Sequence, residues 1–458
     1  ISAAKMNSRI MISNVDGRIV TYVKGSPECV LKMCTLEDEA RCRIDDAIIE
    51  AEKKAMRVIA FAHKELTEMA DFSQEPHHQK LESDLVFDGF VAISDPLRSD
   101  VYEAVCSCRR AGINLKILTG DNIVTATAIA EQLHLTDHGE IALEAGEIDE
   151  MTDEELSQKL PKISVIARST PTVKMRVVKL LKAAENVVAV TGDGINDALA
   201  LKNADVSVAM GISGTEVSKE ASDIVLLDDS FAAIVKAIEW GRNIYENFKR
   251  FISFQLTVNL ASVIVVFASI LAGLKTPFTA LQLLWINIIM DGPPALTLGL
   301  EPNYADLMSR KPTKRGDNII SGVMFVRIAA TAVYMSLVFL AQYIFNFLHV
   351  PDGQMTAVLF TMFVLFQLFN SFNCRELHSE SILRHLTKNK LMLWIVGETF
   401  VLQILIIQFA GAFFGTVSLG ITTWIQLIGI AFSVIVLSEL IKPVCRRHIV
   451  FQNRGRYG

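Results

Sequence analysis

Two carboxylates, Asp193 and Asp197, stand four residues apart in the segment VVAVTGDGINDALALKNAD, which begins at Val187. Apolar, mostly β-branched residues lead into a Thr-Gly-Asp-Gly turn, so the pair follows a predicted buried strand. A dinucleotide fingerprint is excluded, because Asp197 takes the place of the third glycine and would repel a phosphate. An EF-hand is excluded, because its alternating acids and closing Glu are lacking. Acids at the end of a parallel strand usually hold a metal ion or orient a phosphoryl group.

Polar groups also follow two other predicted strands, in the segments LTGD and RSTPTVK. Thr119 can offer its hydroxyl, and Gly120 its backbone amide, to phosphoryl oxygens. Lys174 can neutralise a transferring group, and Asp193 can hold Mg²⁺, which takes one or two carboxylates and keeps several waters. Each signal is weak alone, but their order on successive strands indicates phosphoryl transfer.

The elements that must position these groups alternate between strands and helices. The predicted strands are LVFDGFVAI, INLKIL, ISVIA, VVAV, VSVAM and DIVLL, separated by helical patterns such as PTVKMRVVKLLKAA. This alternation favours an α/β domain with a parallel sheet covered by helices on both faces.

The second half of the chain has the composition of a membrane protein. The 458 residues are 51% hydrophobic with mean hydropathy +0.36, and long uncharged runs begin at Phe251. Each run is long enough to span a bilayer as a helix. Six transmembrane helices are predicted, in the ranges 251–274, 276–300, 328–348, 353–374 and, as two spans with a turn at GAFFGTVSLG, 391–438.

Lysine and arginine set the predicted orientation. The connections 301–327 and 375–390 carry five and four of them, and the tail 439–458 carries five. The loops on the other side carry only Lys275. The positive-inside rule therefore places the N-terminal region and the C-terminus in the cytosol. We expect an integral membrane protein.

A cation site is predicted within the span 276–300. Asn287 and Asp291 lie four residues apart on one helical face, and an acid at this depth is costly unless it serves an ion path. The following Gly-Pro-Pro interrupts the helix and frees carbonyl oxygens. Asn259 and Gln367 supply further amides from other spans. Such oxygen ligands suit a hard cation such as Ca²⁺.

Four motifs resemble those of the P-type cation-transporting ATPases, whose phosphorylation domain has a haloacid dehalogenase fold. They are TGDGINDA, LTGD, DPLR at Asp95–Arg98 and KGSPE at Lys24–Glu28, and the resemblance covers nearly the whole chain. It implies the C-terminal part of a nucleotide-binding domain over 1–88, a phosphorylation domain over 89–240, and a stalk with six transmembrane helices over 241–450.

The resemblance also implies ligands for ATP, Mg²⁺ and the transported ion. Around the phosphoryl group and Mg²⁺ it places Thr119, Gly120, Asp121, Lys174, Asp193, Asn196 and Asp197. At the nucleotide it places Lys5, Lys24, Gly25, Arg57 and Arg168. At the cation it places Asn259, Asn287, Asp291 and Gln367.

One departure from the family limits what the chain can do alone. The phosphorylated Asp of an Asp-Lys-Thr-Gly-Thr segment is absent from this sequence. We therefore expect the C-terminal half of a pump, a fragment or a split subunit, which forms no phosphoenzyme without its N-terminal half. The expected partners are ATP, the cation, lipid and that missing half, with no nucleic acid.

Two residues indicate which type of calcium pump the chain resembles. Ser262 and Gln367 stand where two-site calcium pumps carry Glu, so the resemblance is to plasma-membrane, secretory-pathway or bacterial calcium pumps. A pump for Mn²⁺, Na⁺ or H⁺ and a non-catalytic split subunit remain alternatives. A membrane-anchored phosphatase of the same fold would need its own nucleophilic aspartate.

Overall fold

The computed structural model describes residues 6–12, 19–66, 83–94, 96–137, 139–302, 307–377, 381–382 and 387–454. The chain forms two compact units, one of Ile1–Lys236 with Met308–Gly316, the other of Ala237–Leu307 with Asp317–Gly458. Two residues of the predicted motifs, Lys5 and Asp95, lie outside the described residues. The division into three domains at residues 88 and 240 stays a prediction.

The first unit begins with an antiparallel sheet in the order β1-β2-β3-β4. Its strands are β1 (Met6–Ile12), β2 (Ile19–Gly25), β3 (Met56–Leu66) and β4 (Val86–Ser94). Helices α1 (Pro27–Met33) and α2 (Asp38–Lys53) pack against it. Buried residues alternate along β3, at Val58, Ala60 and Ala62, so one face of this sheet faces the core.

The segment LVFDGFVAI corrects one prediction. It forms β4, which pairs antiparallel with β3 and not with the parallel strands. A short apolar run predicts a strand without specifying its sheet. Leu85 exchanges backbone hydrogen bonds with Met33 and Thr35, at 2.9 and 3.0 Å, and these bonds fix the segment beside α1.

Two three-stranded parallel sheets follow, in the orders β6-β7-β5 and β8-β9-β10. The strands are β5 (Ile117–Leu118), β6 (Ile141–Glu144), β7 (Ile163–Ala167), β8 (Ala189–Gly192), β9 (Val206–Met210) and β10 (Ile224–Leu226). The five remaining predicted strands are thus confirmed, and β6 was missed. The prediction of one parallel sheet is wrong for the described strands. They form two separate sheets, in which β5 and β8 are both edge strands.

Helices cover both faces of β7, as predicted. Ile166 packs against Val173 and Val177 of the helix that follows β7. Val165 and Ala167 pack on the other face, against the helices at Val101–Arg110 and Ile123–Gln132. The helices of this region are α3 (Val101–Arg110), α4 (Ile123–Gln132), α5 (Ala145–Asp149), α6 (Asp153–Lys159), α7 (Pro171–Ala183), α8 (Ala198–Asn203) and α9 (Glu216–Glu220).

The second unit is helical. Among the described residues, five helices are long and apolar enough to cross a membrane. They are α10 (Phe231–Leu271), which begins in the first unit, α13 (Gly322–Phe345), α14 (Met355–Arg375), α15 (Lys390–Phe409) and α17 (Ile421–Arg454). A short α16 (Gly411–Phe414) forms the predicted turn between the last two. Helix α10 runs without interruption for 41 residues, ~60 Å at 1.5 Å per residue, from Phe231 into the first predicted span.

The predicted span 276–300 is broken into three pieces. They are α11 (Ala280–Trp285), a π-helical turn (Ile286–Met290) and α12 (Gly292–Gly299). The amide of Asp291 donates to the carbonyl of Ile286 at 2.9 Å, five residues back, which is the π pattern. Proline at the start of α12 loses no helical hydrogen bond, because the first-turn amides have no partner within the helix.

Candidate functional site

The turn after β5 lies beside the turn after β7. Thr119 and Ser169 are joined by a backbone hydrogen bond of 2.8 Å, and Asp121 and Arg168 by one of 2.9 Å. The Thr119 hydroxyl donates to the Asp121 carboxylate at 2.9 Å. This brings the LTGD and RSTPTVK segments together, as the order of the strands predicts, and leaves Gly120 exposed beside them.

Lys174 and Asp197 form an ion pair of 2.7 Å, and their side chains are only 15% and 11% exposed. The second Asp197 oxygen accepts from the amides of Asp193 and Gly194 at 3.3 and 3.2 Å. Both Asp197 oxygens are therefore occupied. This residue orients Lys174 and closes the turn after β8.

Asp193 differs from Asp197 in its exposure and in its hydrogen bonds. Its side chain is exposed, and its carboxylate makes no hydrogen bond or ion pair with the described residues. Its backbone carbonyl accepts from the Thr215 amide at 2.8 Å and the Ser218 hydroxyl at 3.0 Å, so the main chain is fixed. A held backbone with a free carboxylate fits a Mg²⁺ ion that keeps most of its waters.

The glycine before Asp193 is required by close packing. A Cβ at Gly192 would lie 2.4 Å from the Cβ of Asp197, closer than two carbons can approach. Asn196 lies on the 3₁₀ turn that precedes α8, and its side chain is exposed. The TGDGIND turn therefore buries one acid and presents the other.

Helix α7 joins the two parallel sheets. Val173 and Val177 pack on Ile166 of β7, and Val178 packs on Val188 beside β8. Lys174, on the same helix, reaches Asp197 beyond β8. Helix α7 thereby connects the neighbouring turns after β5 and β7 with the turn after β8.

The nucleotide candidates lie on the antiparallel sheet. Lys24 of β2 pairs with Phe61 of β3, and Arg57 is four residues from Phe61, so Lys24 and Arg57 share one face. They are about 13 Å apart along the strands at ~3.3 Å per residue. Both side chains are exposed, and Gly25 ends β2 beside them.

Arg168 and Glu28 connect the nucleotide candidates to the phosphoryl site. Arg168 donates to Glu28 of the KGSPE motif at 2.6 Å. Burial raises the pKa of Glu28, but a backbone hydrogen bond and the Arg168 charge outweigh it, and the pKa is lowered. Arg168 has φ +52°, a left-handed backbone that Arg rarely adopts. Sequence reasoning missed Glu28 as its partner.

Sequence reasoning also missed a second contact, which joins helix α2 to the turn after β5. Asn122, the N-cap of α4, donates to Glu52 of α2 at 2.5 Å. Glu52 is buried, and this burial, with the nearby Glu28 charge, raises its pKa. Two acids thus tie α1 and α2 to the turns after β5 and β7.

Asp205 and Asp229 hold the segments just before and just after β9, and sequence reasoning missed both. Asp205 accepts from the Val188 amide at 2.9 Å and pairs with Lys182 at 3.1 Å and with Arg315. Burial opposes ionisation, but these partners lower the pKa of Asp205 to about 2. Asp229 accepts from three consecutive amides of the 211–213 loop. Arg98 of DPLR donates to the Asp229 carbonyl at 3.1 Å, so this motif residue holds a loop.

Asp291 is the most unusual side chain of the membrane unit. It is 1% exposed, and neither carboxylate oxygen has a hydrogen-bond partner among the described residues. Gln367 of α14 is fully buried, and both atoms of its amide are likewise without a described partner. Helix α14 packs against the π-helical turn, with Met290 in the same buried cluster as Val364. A buried carboxylate without compensation is very costly, so this site requires a proton or a cation.

The other two cation candidates are not buried with them. Asn259 of α10 and Asn287 of the π-helical turn are both exposed. Sequence reasoning missed Asn370, which lies one turn beyond Gln367, is 2% exposed and has an amide nitrogen without a described partner. Its spacing of three residues from Gln367 within an uncharged run was the available signal.

Both halves of the chain match known families. Residues 21–205 match the haloacid dehalogenase-like hydrolases, and residues 275–444 match the C-terminal region of cation-transporting ATPases. A haloacid dehalogenase-like domain is thus followed by the membrane region of a cation-transporting ATPase. The chain belongs to the P-type cation-transporting ATPases, and several relatives that match more than 90% of its length are calcium-transporting ATPases.

Three relatives illustrate the similarity. Plasma membrane-type calcium-transporting ATPase 12 of Arabidopsis thaliana is 38% identical over 94% of this chain and 43% of its own length. Calcium-transporting ATPase 7 of Oryza sativa subsp. japonica is 38% identical over 93% and 43%. Plasma membrane calcium-transporting ATPase 1 of Mus musculus is 35% identical over 100% and 41%. The chain thus spans less than half the length of these relatives.

Proposed function

We propose that this chain is the C-terminal portion of a pump that moves Ca²⁺ across a membrane through an aspartyl-phosphate intermediate. The observation that carries the proposal is Asp291, a buried carboxylate whose two oxygens lack described partners. A membrane protein retains such an acid where it binds an ion or a proton. The calcium-transporting relatives favour Ca²⁺ over the alternatives Mn²⁺, Na⁺ and H⁺.

The phosphoryl site has the residues for transfer by positioning and charge. Asp193 would hold Mg²⁺, which would supply positive charge to neutralise the phosphoryl group. Lys174, oriented by Asp197, contributes a positive charge, and Thr119 with Gly120 contributes a hydroxyl and an amide. Asp121 accepts from the Thr119 hydroxyl and sets its direction.

The nucleophile would enter between the two parallel sheets. Strands β5 and β8 each have one unpaired edge among the described strands, and Val187 and Ala189 near that edge are exposed. A strand that ends in an aspartate would complete the sheet and bring its carboxylate to Lys174 and Asp193. We infer that sequence outside this chain supplies it, and that the chain alone forms no phosphoenzyme.

ATP would lie on the exposed face of the antiparallel sheet. Lys24 and Arg57 supply positive charge there, and Gly25 lets the backbone approach the nucleotide. Arg168 stands between this face and the phosphoryl site and would exchange Glu28 for a nucleotide phosphate or ribose oxygen. Lys5 is proposed as a further contact on the basis of the resemblance alone.

The membrane orientation follows the distribution of Lys and Arg. The N-terminal region and the C-terminus are proposed to be cytosolic, in a bacterial plasma membrane or a eukaryotic plasma or secretory membrane. The sixth span is proposed to be the broken segment α11 to α12. A non-catalytic split subunit is less favoured, because it would not need the free Asp193 or the buried Asp291.

The test is cation-dependent phosphorylation in the complete pump. Purified protein would be incubated with labelled ATP, Mg²⁺ and either Ca²⁺, Mn²⁺, Na⁺ or a chelator, and the acid-resistant label counted. Label that depends on Ca²⁺ and is released by hydroxylamine is expected. Label that depends on another cation would refute the Ca²⁺ assignment, and no label would refute the pump. The chain alone, under the same conditions, should remain unlabelled.

A further inference from the structure

The position of Asp193 depends on its main chain, because its carboxylate has no partner among the described residues. Two donors converge on its backbone carbonyl. The Thr215 amide donates to that carbonyl at 2.8 Å, and the Ser218 hydroxyl donates to it at 3.0 Å. Ser218 stands 25 positions further along the chain, so the contact could not be read from the TGDGIND motif. Both donors belong to one stretch between β9 and the end of α9, residues 211–218, which we call the bracing segment.

The bracing segment is itself held in place at its beginning. The three consecutive amides of residues 211–213 donate to the Asp229 carboxylate, at 2.6, 3.0 and 2.8 Å. A Cβ at Gly214 would lie 1.9 Å from the carbonyl oxygen of Met210, so this position requires glycine. The segment therefore has little freedom to move away from the turn that carries Asp193.

Ser218 is fully buried, and its hydroxyl is bonded on both sides. The hydroxyl donates to the carbonyls of Asp193 and Thr215, at 3.0 and 2.7 Å, and accepts from the Thr215 hydroxyl at 3.2 Å. Helix α9 does not need this serine in order to begin, because the Thr215 side chain is already its N-cap. The contact that a smaller apolar residue would lose is the one to Asp193.

We propose that Ser218 is a positioning residue for the metal ion that Asp193 holds. The inference rests on the proposed function, in which Asp193 is the Mg²⁺ ligand. Because Mg²⁺ demands a nearly ideal octahedral geometry, the carboxylate that holds it must occupy a defined place. Partners that orient a ligand without touching the metal change metal affinity or activity about 10- to 100-fold. Ser218 acts through the main chain, which leaves the carboxylate free for the ion.

Two serines provide a matched test in the complete pump. The Ser222 hydroxyl donates to the Lys219 carbonyl at 2.9 Å, which lies outside the turn of Asp193. Ser218→Ala and Ser222→Ala each remove one hydroxyl, so both should lower the melting temperature slightly. Mn²⁺ is the probe that replaces Mg²⁺, because loss of its free electron paramagnetic resonance signal counts the bound ion. The Mn²⁺ binding that Asp193→Asn removes defines the site.

The two serine variants should differ in their affinity for the metal. Ser218→Ala should weaken the defined Mn²⁺ binding about tenfold, whereas Ser222→Ala should keep the wild-type affinity. Phosphorylation by inorganic phosphate should need more Mg²⁺ in Ser218→Ala, and it should reach the wild-type level at saturating Mg²⁺. A variant that was merely damaged would not recover in this way.

The outcomes separate this inference from the proposed function. Wild-type Mn²⁺ affinity in Ser218→Ala, or an equal loss in both serine variants, would overturn the role of Ser218 and leave the pump intact. If Asp193→Asn binds Mn²⁺ as the wild type does, the proposed Mg²⁺ site fails and this inference fails with it. If Ser218→Ala does not fold, Ser218→Cys, whose thiol donates only weakly, should show the same loss, and wild-type affinity there would overturn the inference.

Discussion

Lys174 lies 2.7 Å from one oxygen of Asp197, while Asp193, four residues earlier, keeps a free and exposed carboxylate. The two acids of the TGDGIND motif therefore differ in role, although their residue type is the same. One is part of a closed turn and orients a lysine. The other is available to a metal ion.

Exchanging each acid for its amide should separate these roles in the complete pump. Asp193→Asn should reduce phosphorylation by ATP about 100-fold or more, because a divalent ion loses a formal charge worth several kcal/mol. Its melting temperature and its nucleotide affinity should be unchanged. Labelled ATP at fixed Mg²⁺ measures the phosphorylation, thermal unfolding measures the melting temperature, and binding of a nucleotide analogue measures the nucleotide affinity.

Asp197→Asn is the matched comparison. The substitution leaves the mostly buried Lys174 without its negatively charged partner. It should lower the free energy of unfolding by about 1–3 kcal/mol. Thermal unfolding should therefore distinguish it from Asp193→Asn. Equal melting temperatures for the two variants, or normal phosphoenzyme in Asp193→Asn at physiological Mg²⁺, would contradict the assignment.

The sequence was sufficient for the parts of this site that come from strand ends. Thr119, Lys174 and Asp193 follow apolar runs that are strands in the structure, and the carboxyl ends of parallel strands lie together. The partners Glu28 and Glu52 could not be predicted, because their contacts join residues 70 to 140 positions apart. The exposure of Asn287 was equally unpredictable, because the π-helical turn at Ile286–Met290 breaks the α-helical spacing that would place Asn287 on one face with Asp291.

Asp205 should give the first unit a pH-dependent stability. Its folded pKa of about 2 lies below the ordinary value, so its contribution is complete above the unfolded pKa near 3.8 and is lost as pH falls toward 2. Asp205→Asn should cost about 1–2 kcal/mol at pH 7 after allowance for solvent screening. The stability difference between the wild type and the variant, measured from melting curves, should be constant from pH 7 to about pH 4. It should become smaller at lower pH. A difference that is unchanged at pH 3 would contradict this.

Glu52 should behave in the opposite way. Burial raises its folded pKa, so the folded state binds a proton more tightly, and stability decreases as pH rises from 4.5 through the folded pKa. Glu52→Gln keeps the acceptor for Asn122 and removes the buried charge. The variant should have a higher melting temperature than the wild type at pH 7 and the same melting temperature at pH 4. A lower melting temperature at pH 7 would show that the carboxylate is needed charged.

The neutral amide of Gln367 provides a control for the cation site. It is fully buried in α14 and contributes no formal charge. Gln367→Ala in the complete pump should weaken the apparent Ca²⁺ affinity by about tenfold or less, because water can replace a neutral ligand in a polar cavity. Ca²⁺-dependent phosphorylation across a calcium titration measures this shift.

Asp291→Asn should have a much larger effect on the same titration. The substitution keeps the size and shape of the side chain and removes the only formal charge among Asn259, Asn287, Asp291 and Gln367. A divalent ion in a low-dielectric site depends on that charge, so the apparent Ca²⁺ affinity should fall about 100-fold or more. Phosphorylation by inorganic phosphate should persist, because it uses Thr119, Lys174 and Asp193 and needs no transported ion. An Asp291→Asn pump with unchanged Ca²⁺ affinity would place the cation site elsewhere in the membrane unit.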